Sequence, residues 1–426
     1  MVPDTSNYKA IVCIFLYGGC QSLNWIVPYT QAKYNEYAAA RGSLALSRAS
    51  LIPMSGLASD GNQYAMRGDC PELAALWEAG HAAVICNVGT LVEPITKAEF
   101  LAGSKQIPTQ LFSHIDQQRL WMTAIANSVA SYGWGGRMVD LYLENSLTAN
   151  LNHAVNVFSE SPVFLDGLTS NQYVLGTDGA PTHEESGNTG YRSGSRASTS
   201  AALQSQALAD STNLFAQVYA QIRQDAASKV TMINSAFDAA GNVTTPFPAY
   251  LGDSDLGRQL AMVARVIKAR NQIGDSRQIF FCGLGGFDHH AGEADGLGAL
   301  MPILSKNIGS FYAALEELGV ANNVTVFTNS DFGRTTTPNG DGSDHAWAGH
   351  AMVFGGRVQK GYYGTMPSLV VDGPDDVGRG RLIPKVSVDQ YAASIAKWFG
   401  VQEPDLVTLF PNLANFTPQT YSFIQA

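Results

Sequence analysis

The chain has 426 residues, of which 45% are hydrophobic, so it is long enough and apolar enough to bury a large core. Its 26 basic and 36 acidic residues leave a net charge of −10. Without a cluster of Lys and Arg, that balance argues against nucleic acid as the main partner. No apolar run reaches the roughly 18 residues that a membrane span requires.

Continuous apolar runs, rather than alternating ones, predict that the strands are buried on both faces. The runs cover residues 11–17, 82–88, 278–284, 324–328 and 350–354. Amphipathic patterns between them predict helices, such as the one that carries Leu256, Leu260, Val263 and Ile267 on one face. Apolar strands that alternate with amphipathic helices predict an α/β fold with a mostly parallel central sheet.

Residues 176–200 differ from the rest of the chain, because they are rich in Gly, Ser and Thr and almost lack large apolar residues. We interpret them as a polar surface loop or insertion. A helical segment is predicted to follow over residues 201–228.

Polar residues collect where the predicted strands end, and this is where binding sites form in open parallel sheets. Residues 18–24 follow the first strand and bring Gln21 and Asn24, but neither a carboxylate nor a histidine. The later strands are flanked by Asp288 and His290, by Asp331 and Arg334, and by Asp344, His345 and His350. Carboxylate and imidazole together suit divalent metals such as zinc or manganese. The alternative is that these are loop residues that form turns and caps, but three clusters at consecutive strand ends favour one shared site.

The segment LFSHIDQQRLWMTA (residues 111–124) allows two interpretations. His114 could lie on a loop that contacts the substrate. Alternatively, the segment is the start of a helix, with Ser113 as its cap and Asp116 in its first turn.

Several motifs together resemble the DUF1501 family, within the alkaline phosphatase-like/sulfatase-like superfamily. They include GGFDHH (285–290), NSDFGRT (329–335) and DHAWAGHAMVFGG (344–356). The resemblance extends over about residues 8–400. It implies a single three-layer α/β/α sandwich of alkaline phosphatase-like fold, with residues 401–426 as a C-terminal extension. Family members commonly carry a twin-arginine export signal, so we expect a periplasmic or extracellular protein whose signal segment is absent from this chain.

The superfamily resembles a set of metal-dependent phosphate and sulfate ester hydrolases. Such a hydrolase would bind a divalent metal (zinc, manganese or calcium) and act on a small-molecule or polysaccharide ester. The resemblance implies that the metal ligands are Asp288, His290, Asp331 and His345 beside Asp344, with His350 as a weaker candidate. Arg334 would contact an anionic group.

The chain also departs from the family pattern. Gln21 stands where the family has an aspartate, and only Thr90 and Thr96 offer hydroxyls where a nucleophile is expected. Cys20 and Cys70 stand at unusual positions, which suggests either a disulfide or two independent thiols. These departures support a second hypothesis, in which the protein is a non-catalytic extracellular structural or assembly protein that self-associates into homo-oligomers.

Overall fold

The structure, a computed structural model, describes residues 7–144, 153–179, 214–248 and 255–425. Its strands are β1 (Lys9–Leu16), β2 (Ile26–Pro28), β3 (Ile52–Pro53), β4 (Tyr64–Met66), β5 (Ala82–Gly89), β6 (Ala154–Asn156), β7 (Tyr173–Val174), β8 (Arg277–Leu284), β9 (Val324–Ser330), β10 (Gly349–Phe354), β11 (Gly361–Gly364) and β12 (Val386–Ser387). Its helices are α1 (Gln31–Arg41), α2 (Pro71–Glu78), α3 (Lys97–Ala102), α4 (His114–Thr123), α5 (Trp134–Glu144), α6 (Leu214–Ala240), α7 (Leu256–Lys268), α8 (Arg270–Ile273), α9 (Glu293–Glu317), α10 (Val388–Phe399) and α11 (Glu403–Leu409).

The five predicted strands are confirmed as β1, β5, β8, β9 and β10 of one large sheet. Within the described residues its strand order is β11-β5-β10-β9-β1-β8-β6-β7, and β12 also pairs with β5. β1 pairs in parallel with both β8 and β9, whereas β10 runs antiparallel to its neighbours β5 and β9. The sheet is therefore mostly parallel, as the sequence predicts.

The side chains of β1 show how the sheet lies between two apolar layers. Because successive side chains of a strand point to opposite faces, Val12 and Ile14 pack into one layer with α2, α7 and α9. Ile11 and Phe15 pack into the other layer with α5 and α10. Helices thus cover both faces, and the predicted α/β/α sandwich is confirmed.

The helix predictions agree with the structure where the residues are described. Leu256, Leu260, Val263 and Ile267 are all fully buried on α7. α6 extends from Leu214 to Ala240, so the helix predicted over 201–228 overlaps it, while residues 201–213 lie outside the described residues. Residues 180–200 of the predicted polar loop also lie outside them.

The predicted C-terminal extension packs against the second apolar layer. Phe410 and Phe423 are fully buried there, and the backbone N–H of Gln425 donates a hydrogen bond to the carbonyl of Arg357 at 2.9 Å. Among the described residues, no helix is both long and apolar enough to cross a membrane.

The suggested disulfide between Cys20 and Cys70 is wrong, because all five cysteines are free thiols. The Cys70 sulfur lies 3.6 Å from the carbonyl oxygen of Met301, so it packs against α9. The backbone N–H of Cys20 instead donates to Ser330 Oγ at 2.8 Å, beside the end of β9. Each cysteine is held by a different part of the chain.

Candidate metal centre

The strand directions bring four segments of the chain to one edge of the sheet. β1, β8 and β9 are parallel, so residues 18–24, 285–290 and 331–334 all emerge at their carboxyl ends. β10 is antiparallel to β9, so the residues that precede it arrive at the same edge. This reversal explains why residues 344 and 345, which come before their strand, join residues that follow theirs.

Gly18 allows the end of β1 to lie directly against the loop that carries Asp288. Its φ is +113°, and a Cβ at this position would lie 2.4 Å from the backbone nitrogen of Asp288. Only glycine tolerates both the backbone conformation and the close approach. The Gly18 N–H then donates to Asp331 Oδ1 at 3.1 Å, which ties β1 to the end of β9.

Asp288, His290 and His345 form a tight group at this edge. Asp288 Oδ1 lies 3.2 Å from the Nε2 atoms of both histidines. The two Nε2 atoms are themselves only 2.9 Å apart. About half of the Asp288 and His290 side chains is exposed (46% and 48%), so the group is open to solvent on that side.

His114 approaches the same group from the first turn of α4. Its Nδ1 lies 2.5 Å from Asp331 Oδ2, and its Nε2 faces Asp288 Oδ2 at 3.4 Å. That Nε2 is buried and makes no hydrogen bond. The helix-start interpretation is therefore confirmed, with Ser113 at the N-cap position and Asp116 in the first turn. The Ser113 hydroxyl, however, donates to Asp116 Oδ2 and does not cap a backbone N–H. The same geometry brings His114 into the cluster. A contact between His114 and substrate stays a prediction.

The far side of each imidazole is held by the protein, which leaves Nε2 facing the cluster. His345 Nδ1 lies 2.8 Å from the carbonyl oxygen of Phe112, so Nδ1 carries the proton. His290 Nδ1 lies 3.5 Å from Asp344 Oδ1, and His114 Nδ1 contacts Asp331. These partners assign an unprotonated Nε2 to each neutral ring. Two such lone pairs at 2.9 Å repel each other unless a proton or a cation lies between them.

Asp331 is completely buried, and the three contacts in which it takes part are all with N–H groups. Besides Gly18 and His114, Gln118 Nε2 donates to its Oδ2 at 3.0 Å. The resemblance implies that Asp331 is a metal ligand. In the structure its Oδ2 lies against Nδ1 of His114, and a carboxylate in this position commonly orients a histidine that binds a metal. The sequence shows Gln118 within the α4 segment but does not reveal this contact.

Charges in the cluster shift the pKa values of Asp288 and His345 in the directions that suit metal binding, whereas the pKa of His114 shifts in the opposite direction. Burial would raise the pKa of Asp288, but Arg334, His114 and His345 outweigh that effect and lower it. Burial lowers the pKa of His345, and the nearby charges of His114 and Arg334 add to this effect, while its bond to Phe112 opposes it. The hydrogen bond to Asp331 raises the pKa of His114. An anionic carboxylate and a neutral imidazole are the forms that bind metals.

Arg334 is buried and directs all three of its guanidinium nitrogens at the protein. Nε donates to the carbonyl of Gly19 at 2.9 Å, and Nη1 donates to that of Ser343 at 3.0 Å. Nη2 contacts Asp288 Oδ1 and the carbonyls of Gly18 and Phe287. Arg334 therefore positions Asp288 and the surrounding loops, and its nitrogens are already occupied by protein acceptors.

Gln21 and Asn24 lie behind the cluster, around a buried ion pair. Arg41 and Glu293 pair there with no exposed side-chain surface on either residue. Asn24 Nδ2 donates to Glu293 Oε1 at 3.3 Å, and Tyr37 donates to Asn24 Oδ1 at 2.7 Å. Gln21 Nε2 donates to the carbonyl of Thr335 at 3.0 Å. The neutral amide of Gln21 thus takes part in loop packing.

His350 is placed apart from the cluster, on β10. Its Nδ1 accepts a hydrogen bond from the backbone N–H of Asn87 at 3.0 Å, and the backbone N–H of His350 donates to Ser22 Oγ. Burial lowers its pKa to about 4. Both hydroxyls at the expected nucleophile position are also occupied, because Thr90 Oγ1 donates to Gln117 and Thr96 caps α3.

The residues present fit a transition metal. Donor atoms of His114, Asp288 and His345 lie within 4.8 Å of one another, and His290 adds a third imidazole. The Nε2 of His114 is buried, makes no hydrogen bond and lies 3.4 Å from Asp288 Oδ2, so a cation would suit both atoms. Imidazole nitrogens with one carboxylate favour zinc or a similar metal over calcium, which prefers oxygen ligands.

The family model described as "Protein of unknown function (DUF1501)" matches residues 8–408. The chain belongs to the DUF1501 family. Among curated proteins, none is significantly similar to it in sequence.

Three solved structures show a low similarity to this chain. An alkaline phosphatase superfamily protein from Vibrio parahaemolyticus is 9% identical, with 94% of this chain and 69% of that chain covered and a TM-score of 0.41. The lipoteichoic acid synthase LtaP from Listeria monocytogenes is 8% identical, with coverages of 94% and 74% and a TM-score of 0.38. The soluble domain of lipooligosaccharide phosphoethanolamine transferase A from Neisseria meningitidis is 8% identical, with coverages of 93% and 90% and a TM-score of 0.38. At TM-scores this low, these similarities carry no conclusion about chemistry or substrate.

Proposed function

We propose that this DUF1501 protein binds one divalent transition metal, for which zinc is the best fit, and hydrolyses a phosphate or sulfate ester. The ligands would be His114, Asp288, His290 and His345. The observation that carries the proposal is the convergence of three Nε2 atoms on one carboxylate while the opposite nitrogen of each ring is held by the protein.

The surrounding residues hold these ligands in fixed orientations. Asp331 orients His114, the carbonyl of Phe112 orients His345, and Arg334 holds the Asp288 carboxylate. When bound, such a metal would polarise an ester oxygen and lower the pKa of a bound water. The exposed sides of Asp288 and His290 leave room for substrate to approach.

The proposed nucleophile is water, because the hydroxyls beside the cluster are already engaged. Within the described residues, Ser343 Oγ donates to Glu293, and Thr335 Oγ1 donates to the carbonyl of Thr337 at 2.9 Å. Thr90 and Thr96 are occupied as described above. Ser343, Thr335 and Thr90 are also buried, so their oxygens are not open to an ester from solvent.

The cellular location of the protein and the type of ester it cleaves are further parts of the proposal. The family resemblance supports export to the periplasm or beyond, and an extracellular polysaccharide ester would suit such a location. Cell fractionation of a host that expresses the gene tests the location. Recovery of the protein only from the cytoplasm would contradict it.

Metal analysis tests the metal centre. Protein purified without chelators should contain about one ion of zinc or a similar transition metal per chain, and it should hydrolyse aryl phosphates or aryl sulfates. His345→Ala and Asp288→Ala should lose both properties. His289→Gln is the matched control, because His289 is the neighbour of His290 on the same loop but its ring packs against Gly296. Metal-free wild type, or metal retained in both alanine variants, would refute the proposal.

A second candidate function is a non-catalytic assembly protein. It is favoured by Gln21, whose neutral amide packs against the carbonyl of Thr335 where the family has an aspartate. In that case the protein would show no ester hydrolysis with or without metal, and it would form homo-oligomers at high concentration in sedimentation experiments. A monomer under those conditions would exclude self-association.

A further inference from the structure

The substrate of the proposed hydrolase is anionic, yet Arg334, the arginine closest to the cluster, already donates from every nitrogen to protein acceptors. Two other arginines lie at the rim of the cluster. Arg379 and Arg381 belong to the turn VGRGRL over residues 377–382. The turn follows β11 and lies beside residues 335–337.

The backbone of this turn is held in a fixed and unusual conformation. Arg379 has a φ of +61°, between Gly378 at +117° and Gly380 at +74°. A non-glycine residue in this region costs about 1–2 kcal/mol, so neighbouring contacts must compensate. The Thr336 N–H donates to the Gly380 carbonyl and Thr337 Oγ1 donates to the Arg379 carbonyl, both at 2.9 Å.

Both guanidinium groups contact the residues that hold the histidines. Arg379 Nη2 donates to Asp344 Oδ2 at 2.7 Å, and the other oxygen of Asp344 faces His290 Nδ1. Arg381 Nε donates to the carbonyl of His345 at 3.2 Å. Its guanidinium carbon lies 4.3 Å from the centroid of the Phe112 ring. The two side chains therefore border the cluster on the side of His290 and His345.

Most of their hydrogen-bonding capacity remains available. Each guanidinium carries five N–H donors, and within the described residues each uses a single nitrogen in the contacts above. The Arg379 side chain is 68% exposed. Both side chains therefore keep N–H groups with which to bind an anion beside the cluster.

We propose that Arg379 and Arg381 form the subsite that binds the phosphoryl or sulfuryl oxygens of the substrate beside the metal centre. This inference rests on the proposed function. Guanidinium groups suit the role, because their planar N–H pairs match the oxygens of phosphate and sulfate in two parallel hydrogen bonds.

Kinetics with charged and uncharged esters test the subsite. Arg379→Gln and Arg381→Gln should raise KM for aryl phosphate or aryl sulfate about 10- to 100-fold, the range expected for the loss of a charge-assisted contact. KM for a neutral aryl acetate should change much less than KM for the charged esters, and the metal content of each variant is measured in parallel. Arg379→Lys should recover part of the loss, because it restores the charge without the planar pair of donors. Arg119→Gln is the matched control, since Arg119 is exposed on α4 but lies five positions after His114, on a different face of the helix.

Calorimetry separates failure of this inference from failure of the proposed function. Metal-loaded wild type should bind inorganic phosphate or sulfate, and both glutamine variants should bind it at least about tenfold more weakly. Anion binding that depends on both arginines but comes without turnover would retain the subsite and refute the hydrolase. Turnover with an unchanged KM in both glutamine variants would overturn the subsite and retain the hydrolase. If the wild type binds neither anion, the subsite is also refuted.

Discussion

Replacement of Asp331 by asparagine separates an orienting carboxylate from a metal ligand. Asp331 is fully buried and receives hydrogen bonds from Gly18, His114 and Gln118. All three partners are N–H groups. Asparagine has almost the same shape but offers one acceptor oxygen and one donor nitrogen, so at least one buried N–H must face another N–H.

The magnitude follows from these contacts. In the better orientation the amide oxygen keeps His114 and Gln118, and the Gly18 N–H is left unsatisfied, which costs about 1–3 kcal/mol of folding stability. Metal affinity should fall about 10- to 100-fold, as is typical when the partner of a ligating histidine is changed, which corresponds to about 1.4–2.7 kcal/mol. A direct ligand would cost more.

A competition titration against a chromophoric chelator measures the affinity, and thermal unfolding of the metal-free protein measures the stability. The bond to Asp331 raises the pKa of His114, so in the wild type protons compete with metal at Nε2 over a higher pH range than at a free imidazole. In Asp331→Asn that competition should shift to lower pH. The reasoning is refuted if Asp331→Asn binds metal as tightly as wild type, or if it loses metal as completely as Asp288→Ala.

Three further outcomes are expected. Burial raises the pKa of Asp389 from 3.8 to about 8. Between these pH values the unfolded chain has released the proton while the folded chain keeps it. The free energy of unfolding should therefore fall by up to about 1.4 kcal/mol for each unit by which the pH rises. Asp389→Asn should flatten the dependence of unfolding free energy on pH, measured by urea denaturation at several pH values. Asp238→Asn, on the surface of α6, is the control and should leave that dependence unchanged. Equal slopes in the wild type and both variants would contradict the raised pKa of Asp389. Gly18→Ala should lose both metal and several kcal/mol of stability, since its Cβ would meet the Asp288 backbone. Gly298→Ala in α9 is the control and should be neutral or stabilising, because its Cβ would meet nothing within 4 Å. Similar melting temperatures for the two variants would refute the packing argument. Glu293→Gln leaves the buried guanidinium of Arg41 without its counter-charge. The free energy of unfolding should fall by about 3–5 kcal/mol in the same denaturation assay. A loss below about 1 kcal/mol, typical of an exposed pair, would show that the ion pair is dispensable.

The sequence determined the sheet and the candidate residues because both are encoded locally. A run such as IVCIFL is apolar at every position, which predicts a strand that is covered on both faces, and β1 is such a strand. The Asp and His residues at 288–290 and 344–345 can be read directly, and their positions at strand ends predict a shared edge. For His114 the sequence left two interpretations open, a helix start and a substrate-contacting loop.

The tertiary structure decided which of those residues meet, and in what role. The antiparallel direction of β10 brings His345 to the edge and directs His350 toward Asn87 instead. Asp331 and Arg334 are held by partners that are separated from them by hundreds of positions, such as Gly18. The carbonyl of Phe112 sets the tautomer of His345, and a backbone carbonyl leaves no signal in residue type. Contacts of this kind depend on strand direction, backbone conformation and side-chain orientation together, and these are properties of the folded chain.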